Sequence, residues 1–309
     1  MTNKASRTVD QQIELLKQRG MSIDNEQFAR HQLGHISYYR LKGYWWSMQK
    51  DTTHHLFKQG SCFEAVIQRY RFDKELRLVL FDAIESIEIA LRTKMIYYLS
   101  LSYGGLYYKD NSLFFNKTHH QEHLEYLMAD FYRSSEIFAK EYKYKYGKWD
   151  SKKCISLREH PDAWIIFEVA SFGTLSKIYK NLNHQLPEKA KIANDFGLYT
   201  QKELSSWLEA ISYLRNIIAH HSRLWGRNMV KVPMNINNPK RTWLKSKPCE
   251  KAQKRPFFVI SAMLYLCNAI NEGESFKEKI LSLLDRNPDI PIHEIGFIDS
   301  WKKEPLWSN

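Results

Sequence analysis

Apolar residues recur three and four positions apart along much of the chain, a spacing that places them on one face of an α-helix. The longest segment with this pattern predicts a helix from about Phe63 to Leu101. Its apolar stripe consists of Leu80, Ile84, Ile87, Leu91 and Met95. Glycine and proline are scarce, with 12 and 9 residues, so the chain lacks the frequent turns of a β-sandwich or barrel. The pattern therefore predicts an all-α fold.

Capping residues and breaks in the pattern delimit further helices. Thr8 and Asp24 are predicted to cap two short N-terminal helices, and Thr200 is predicted to cap a long amphipathic helix. Residues 117–146, which are rich in charge and tyrosine, are predicted to form one helix. A strongly apolar helix is expected after Pro256.

The pattern divides the chain into four segments, which we expect to pack as one compact unit. They are an N-terminal helical and aromatic segment (1–60), a helical core (61–225), a basic loop (226–256) and C-terminal helices with an irregular tail (257–309). The aromatic string SYYRLKGYWW in the first segment has no clear period. It is either a packing element or a ligand surface, and packing is the simpler interpretation.

Composition narrows the class of protein. With 309 residues, of which 43% are hydrophobic, the chain is long enough to bury a substantial core. Its four cysteines lie far apart without a CxxC pair, which argues against a disulfide scaffold and a cysteine-based zinc site. The N-terminal stretch is polar and no apolar run reaches membrane length. We therefore expect a cytoplasmic protein that has no membrane partner.

The charge balance favours polyanionic partners, either nucleic acid or an anionic membrane face, although a basic but inert surface is an alternative. The chain has 46 lysines and arginines against 34 acidic residues, a formal net charge of +12. Residues 226–256 carry nine basic residues and one acidic residue. The side chains predicted to contact RNA there are Arg227, Lys231, Lys240, Arg241, Lys245 and Lys247.

A second basic stretch, residues 139–158, has seven basic and two acidic residues with three tyrosines and a tryptophan interleaved. Basic groups contact phosphates and aromatic rings stack on unpaired bases, so this texture suits single-stranded RNA or DNA. The alternation of tyrosine with lysine equally fits a half-buried amphipathic segment. Both interpretations remain open for this stretch.

Most common catalytic motifs are absent from the sequence. It has no GxxxxGK[ST], GxGxxG, GxSxG or HExxH string, so phosphate cradles, nucleophile elbows and zincin sites have no support. His119, His120 and His123 include an HxxH pair, but no cysteine or carboxylate partner is identifiable, and a solvated helix face is the better interpretation. No metal and no cofactor are expected.

The string RNIIAHHSR, from Arg215 to Arg223, is the strongest candidate for a catalytic motif, because it combines two arginines, an amide and two histidines within nine residues. A histidine such as His220 can take the proton from a ribose 2′-hydroxyl or give one to a leaving oxygen. The guanidinium of Arg215 can clamp a phosphate and stabilise the charge that develops on it. Asn216 can orient the histidine or the substrate, and His221 is a supporting candidate, as is Arg223. These residue types suit cleavage of an RNA phosphodiester without a metal.

Helix geometry constrains how this string can act. Asn216, His220 and Arg223 are four and three residues apart, so they are predicted to share one helical face. Arg215 and His220 are five apart, which on an ideal helix separates them by about 140°. Either the helix distorts near its end, or two copies meet about a two-fold axis and share a composite site. We favour a homodimer, because an isologous contact places the same patch twice at the interface.

A polar line on the long helix is a candidate support for this site. Glu85, Glu88 and Arg92 are three and four residues apart, and the largely apolar positions around them suggest that this face is covered. We expect them to brace Arg215 or His220, with plain pairing inside the core as the alternative. The arginine and histidine equally fit a structural role, in which they complement a helix dipole and pair with these glutamates.

The Arg215 to His220 spacing resembles the Rx4H motif of the HEPN superfamily, an all-α ribonuclease and RNA-binding fold. The longer string LRNIIAHHSRLWGR resembles the Abi family of bacterial abortive-infection proteins of the AbiD/AbiF type. Other blocks resemble the family in the same order: SYYRLKGYWW, YRFDKELR, AIESIEIALRTKM, AWIIFEVASFGTLSKIYKNL, SWLEAISYLRN and IGFIDSWKKEPLW. One departure is Gly226, where the family usually has asparagine.

The resemblance implies a HEPN-type helical core within residues 61–225 that is usually dimeric. It also implies metal-independent RNA cleavage that leaves a 2′,3′-cyclic phosphate, and a role in phage defence through growth arrest or toxicity. On this sequence it makes Arg215 and His220 the catalytic pair, with Asn216 as the polar residue that follows the arginine.

Two other classes of function fit the same sequence. One is a non-catalytic RNA-binding or regulatory HEPN module, whose salt-sensitive RNA binding would survive loss of His220. The other is a protein partner in a toxin–antitoxin pair, in which the basic loop docks an acidic protein. An RNA or protein antitoxin is a candidate partner of the active form as well.

Overall fold

The computed structural model describes residues 5–246 and 248–308. In these ranges the chain forms thirteen α-helices and two antiparallel two-stranded sheets, which confirms the predicted all-α class. The helices are α1 (Val9–Gln18), α2 (Glu26–His35), α3 (Tyr38–Lys42), α4 (Phe63–Tyr103), α5 (Lys117–Arg133), α6 (Ile137–Tyr146), α7 (Ala163–Ile166), α8 (Phe172–Asn181), α9 (Pro187–Asp195), α10 (Gln201–Ala219), α11 (Glu250–Gln253), α12 (Pro256–Ala269) and α13 (Gly273–Asp285). The strands are β1 (Gln49–Asp51), β2 (Leu56–Phe57), β3 (Gly147–Asp150) and β4 (Lys153–Leu157). Strands β1 and β2 pair with each other, as do β3 and β4, and the apolar pattern predicts neither hairpin.

Helix α4 runs through the centre of the fold. Its 41 residues span about 61 Å at the usual rise per residue. Helices α8, α9, α10, α12 and α13 all contact it. The predicted stripe from Leu80 to Met95 is buried, so the periodicity identified the core face of this helix correctly.

The predicted capping residues are confirmed at two helices and wrong at a third. Thr8 and Thr200 each form a capping box at the start of α1 and α10, in which side chain and backbone satisfy each other's free groups. Helix α2 is capped by Asn25 rather than by Asp24. The single helix predicted for residues 117–146 is wrong, because α5 ends at Arg133 and α6 begins only at Ile137.

The basic loop follows the surface of the body and is anchored to it by apolar side chains. Met229, Ile236 and Trp243 are buried, and the ring of Trp243 lies 5.1 Å from that of Trp207. The segment is irregular as expected, apart from the short helix α11. A loop held in this way has a defined course along the protein.

Aromatic residues tie both ends of the chain to the core. In the SYYRLKGYWW string, Tyr44 and Trp45 are buried, in agreement with the packing interpretation, whereas Tyr39 and Trp46 are exposed. Trp307 in the C-terminal tail is also buried and stacks on Phe257. Buried apolar residues from all four segments of the chain belong to one hydrophobic cluster. None of the described helices has the length and apolar character needed to cross a lipid bilayer.

Candidate active site

Helix α10 places the first residues of the RNIIAHHSR string on the wall of a polar cleft. Arg215 and Asn216 lie just before its end at Ala219 and line a cleft of about 860 Å³, whose other walls come from α5 and α8. Arg215 is half-buried and Asn216 is exposed. The volume lies within the range of about 300–1,000 Å³ typical of ligand sites. The cleft is therefore large enough for a ligand of nucleotide size.

His220 occupies the end of the same helix. It is the C-terminal capping residue, and its backbone N–H donates to the carbonyl oxygen of Asn216 at 3.1 Å. Its imidazole is exposed and is not among the described residues that line the cleft. Within one protomer, the cleft thus receives Arg215 and Asn216 while His220 lies beyond it.

The predicted common face of Asn216, His220 and Arg223 is wrong for Arg223. Helix α10 ends before it, and His221 has a φ of +52°, which turns the chain out of the helical direction. The guanidinium of Arg223 is half-buried against Gly43, where an added Cβ would overlap it, and it donates to the carbonyl oxygen of Trp225. Arg223 therefore packs the turn against α3.

A buried carboxylate holds the segment that follows α10. We call residues 221–225 the motif turn. The carboxylate of Asp73 accepts hydrogen bonds from the backbone N–H groups of Leu224 at 3.0 Å and Trp225 at 2.8 Å, and from the hydroxyl of Tyr44 at 2.8 Å. Asp73 is fully buried. Burial raises its pKa, and the neighbouring cation and hydrogen-bond donors counteract this, so the carboxylate depends on its partners.

Two arginines donate hydrogen bonds to backbone carbonyl oxygens of the motif turn. Arg77 forms a salt bridge with Asp73 at 2.9 Å and donates to the carbonyl oxygen of Ser222 at 3.1 Å. Arg40 donates to the carbonyl oxygen of His221, whose imidazole is exposed. The backbone next to the helix end is thus fixed by α3 and α4, while the side chain of His221 remains accessible.

This buried network was not predicted, although one signal for it is present in the sequence. Asp73 and Arg77 are four residues apart and lie beside the buried Phe72 and Leu76 on α4. A charged pair at helical spacing on an apolar face must be compensated, because burying unpaired charges is costly. Its partners in the motif turn are about 150 positions away, and no local pattern identifies them.

Helix α4 also brings an ion pair close to Arg215. The carboxylate of Glu88 accepts a hydrogen bond from Arg92 at 2.8 Å, and Arg92 donates as well to the carbonyl oxygen of Ala170 at 3.1 Å. Burial raises the pKa of Glu88, and the positive charges of Arg92 and then Arg215 act to lower it. Glu88 and Arg92 are half-buried as expected, but Glu85 is exposed, so the predicted covered line is wrong for Glu85.

The solvated face predicted for the three histidines of α5 is wrong for His120 and His123, whereas His119 is exposed. His120 and His123 are buried, and His120 hydrogen bonds to the carbonyl oxygen of Tyr108 at 2.8 Å. His123 lines the cleft together with His119, and its Nδ1 atom has no hydrogen-bond partner among the described residues. Burial, assisted by the charge of Lys177, lowers the pKa of His123 to about 4. The described residues hold no cluster of three or more histidine, cysteine or acidic side chains that is arranged for a metal ion.

Two of the basic-loop side chains that were predicted to contact RNA bond to residues of the cleft or the motif turn. Lys231 forms a salt bridge with Glu209, which itself lines the cleft. Arg227 is half-buried and donates to the carbonyl oxygen of Arg223 at 2.6 Å. Their charges are therefore partly used inside the protein.

The other predicted RNA contacts of the loop lie on its surface. The ammonium group of Lys240 is 4.5 Å from the ring centre of Tyr199 and donates a hydrogen bond to the side-chain oxygen of Asn194. Arg241 and Lys245 are exposed, and Arg241 donates to the carbonyl oxygen of Asn268 at 3.5 Å. Lys247 lies outside the described residues. The loop thus offers fewer free cations than its composition suggests.

The fold and the site together define an all-α protein with an arginine and histidine string at the edge of a polar cleft. The model of the Abi-like protein family matches residues 31–226, more than half of the chain. The chain therefore belongs to the Abi-like protein family. The matched span contains the motif turn, its buried network and the cleft residues of α10. No curated protein and no solved structure gives a significant match.

Proposed function

We propose that this chain is a metal-independent RNA endonuclease of the HEPN type, an AbiD/AbiF-like protein that acts in the cytoplasm as a phage-defence effector or toxin. One observation carries most of the weight. Arg215 lines the cleft, and its guanidinium, which feels the charge of Glu88, forms no hydrogen bond or salt bridge with a described residue. A permanently charged fork that is held half-buried without a bonded partner is suited to an incoming phosphate.

The reaction that these residues support is an internal transesterification of RNA. His220 takes the proton of the ribose 2′-hydroxyl, and the 2′ oxygen forms a bond to phosphorus as the bond to the 5′ oxygen breaks. Arg215 stabilises the negative charge that develops on the phosphate oxygens. The 5′ oxygen takes up a proton from an acid or water, which leaves a 2′,3′-cyclic phosphate and a 5′-hydroxyl end.

Neighbouring side chains orient the two main groups. Asn216 is exposed beside Arg215 on the cleft and can hydrogen bond to the substrate. Glu88, through its charge and its pairing with Arg92, restrains the position of the Arg215 guanidinium. The exposed His221 is a supporting group for the phosphate or the base.

A homodimer completes the site in this proposal. Arg215 lines the cleft, whereas His220 is exposed at the helix end and outside the cleft lining. A two-fold contact between the ends of α10 would place His220 of one copy against Arg215 of the other. The same contact supplies a second imidazole, which can protonate the leaving oxygen.

The direct experiment incubates the full chain with end-labelled single-stranded RNA in the presence of EDTA. We expect cleavage that leaves 2′,3′-cyclic phosphate ends, and loss of this cleavage in Arg215→Ala and His220→Ala. If the wild type yields no product or all three proteins behave alike, the nuclease is refuted. Salt-sensitive RNA binding without a product would instead identify a non-catalytic module. Co-purification of an acidic protein without RNA would identify a toxin–antitoxin partner.

A further inference from the structure

A second groove continues the cleft at Arg133. This groove, which we name the hairpin groove, has a volume of about 780 Å³ and lies between the end of α5, helix α6 and the β3–β4 hairpin. Arg133 lines both the cleft and the hairpin groove. Its side chain is 76% exposed and pairs with Asp130 at 2.7 Å. The two depressions therefore share one accessible cation.

The hairpin groove combines free cations with exposed aromatic rings. Tyr144 and Trp149 line it and are 85% and 47% exposed. Its exposed lysines are Lys140, Lys152 and Lys153. None of these lysines forms a salt bridge with a described residue, and Glu141 is the one acidic side chain among the described residues that line the groove. Large exposed rings beside unpaired cations are typical of surfaces that bind unpaired nucleotides.

The groove is a fixed part of the fold. Lys143 is buried and donates to the carbonyl oxygens of Tyr132 at 3.0 Å and Ser134 at 2.7 Å, which ties α6 to the end of α5. The indole N–H of Trp149 donates to the carbonyl oxygen of Lys143 at 3.2 Å and so orients that ring. These hydrogen bonds hold the aromatic surface in place before any ligand binds.

The cleft also offers an exposed ring beside a cation, although Glu122, Asp130 and Glu209 line it as well. Tyr126 is 48% exposed there, and the ammonium group of Lys177 lies 4.5 Å from its ring centre. The buried Nδ1 atom of His123 has no hydrogen-bond partner among the described residues, and it can accept one when the ring proton is on Nε2. An amino group of a base can donate to it, which would remove the cost of an unsatisfied buried polar atom.

We infer that the cleft and the hairpin groove form one track for single-stranded RNA, in which the strand next to Arg215 passes Arg133 and stacks unpaired bases on Tyr144 and Trp149. The inference rests on the proposed function for its ligand, and it concerns binding rather than cleavage. Duplex RNA keeps its bases stacked on one another and cannot use these rings.

The experiment measures binding of fluorescent oligonucleotides to the full chain in EDTA. All ribose positions carry a 2′-O-methyl group, so the oligonucleotide has no nucleophile and stays intact. Lengths of about 4 and about 12 nucleotides lie at the short end and well inside the range of about 4–16 nucleotides that single-strand sites cover. The variants are Tyr144→Ala and Lys152→Glu. Their matched controls are Tyr97→Ala, an aromatic residue 58% exposed on α4, and Lys202→Glu, an exposed lysine in the first turn of α10.

We expect Tyr144→Ala to weaken binding of the longer oligonucleotide about tenfold and to affect the shorter one less. For Lys152→Glu, log affinity should fall less steeply with log salt concentration than for the wild type. The slope should be smaller in magnitude by about 0.7 for each phosphate that the protein no longer neutralises. Both control variants should bind like the wild type. Unchanged binding of the longer oligonucleotide by Tyr144→Ala and Lys152→Glu overturns the track, as does equal weakening in the controls.

The two proposals fail separately in these assays. Cleavage-competent protein whose Tyr144→Ala variant binds normally would refute the track and leave the nuclease standing. Protein whose variants bind as weakly as expected and that never cleaves RNA would refute the nuclease and leave the track standing.

Discussion

The two halves of the RNIIAHHSR string differ in what surrounds them. Arg215 and Asn216 lie on the wall of the cleft, and the Arg215 guanidinium has no bonded partner among the described residues. From His221 onward the backbone of the string is hydrogen bonded to Arg40 and Arg77, and the two residues that follow the string are hydrogen bonded to the buried carboxylate of the α4 network. The first half is free to act on a ligand, whereas the second half is fixed as part of the architecture. A short motif can thus combine a reactive group with the scaffold that positions it.

The largest effect on stability is expected from a substitution that disrupts the fixed second half of the string. Asp73→Ala removes the acceptor for two backbone N–H groups and leaves Arg77 buried without its partner. We expect the free energy of unfolding to fall by about 3–5 kcal/mol, measured by urea denaturation. The control is Asp82→Ala, which removes an exposed ion pair with Lys279 and should cost about 1 kcal/mol or less. Equal destabilisation of the two variants would show that the network does not stabilise the motif turn.

Substitution of Arg215 and Arg223, the first and last residues of the string, distinguishes loss of catalysis from loss of stability. Arg215→Ala should slow RNA cleavage by about 10²–10³-fold, because a charge-stabilising donor is removed. Its free energy of unfolding should change by less than about 1 kcal/mol, since the guanidinium has no bonded partner to leave behind. Arg223→Ala should instead lower stability, because its guanidinium packs on Gly43 and donates to Trp225. Rate and urea measurements that give the opposite assignment would contradict the comparison.

A smaller effect is expected at Glu88, which acts through Arg215. Glu88→Gln keeps the shape of the side chain but removes the charge that faces Arg92 and Arg215. We expect kcat to fall about tenfold, or about 1.4 kcal/mol in activation free energy, with KM nearly unchanged. Glu85→Gln is the matched control, because Glu85 is exposed on the same helix. A similar rate for the two variants would exclude Glu88 as a positioning residue.

A separate effect concerns the dependence of stability on pH. Burial lowers the pKa of His123 from its ordinary 6.5 to about 4, so the unfolded chain takes up a proton at a higher pH than the folded protein. The free energy of unfolding should therefore decrease as pH falls from 6.5 to about 4, and this contribution should level off below that range. His123→Gln should flatten the decrease in thermal melts recorded across this range, whereas the exposed His293→Gln should not. An unchanged slope in His123→Gln would contradict the assignment.

Local features of the sequence were predictable because their causes are local. The buried stripe of α4 follows from the spacing of its leucines and isoleucines, and the starts of α1 and α10 follow from Thr8 and Thr200. The predicted site residues Arg215 and Asn216 lie on the wall of a cleft, and their catalytic role stays a prediction. These elements each depend on residues that are close together in the chain.

Interactions between distant segments were not predictable from the sequence alone. The acceptor for the backbone N–H groups of Leu224 and Trp225 is Asp73, which only the packing of α10 against α4 brings near. Arg223 was placed on a helical face because nothing local showed that His221 adopts a left-handed conformation. The break between α5 and α6 is stabilised by hydrogen bonds from Lys143 to carbonyl oxygens, although a lysine in a charged segment is ordinarily expected to be exposed.

The most direct measurement of a shared catalytic site mixes two inactive forms of the chain. Arg215→Ala and His220→Ala are each purified, tested on labelled RNA in EDTA, and then mixed in equal amounts so that subunits exchange. If the arginine of one copy acts with the histidine of the other, each variant alone is inactive, and the mixture recovers about a quarter of the wild-type rate, because half of the dimers contain one intact site of two. A mixture as inactive as its components, despite subunit exchange, would contradict the shared site, and wild-type cleavage by either variant alone would contradict the catalytic pair.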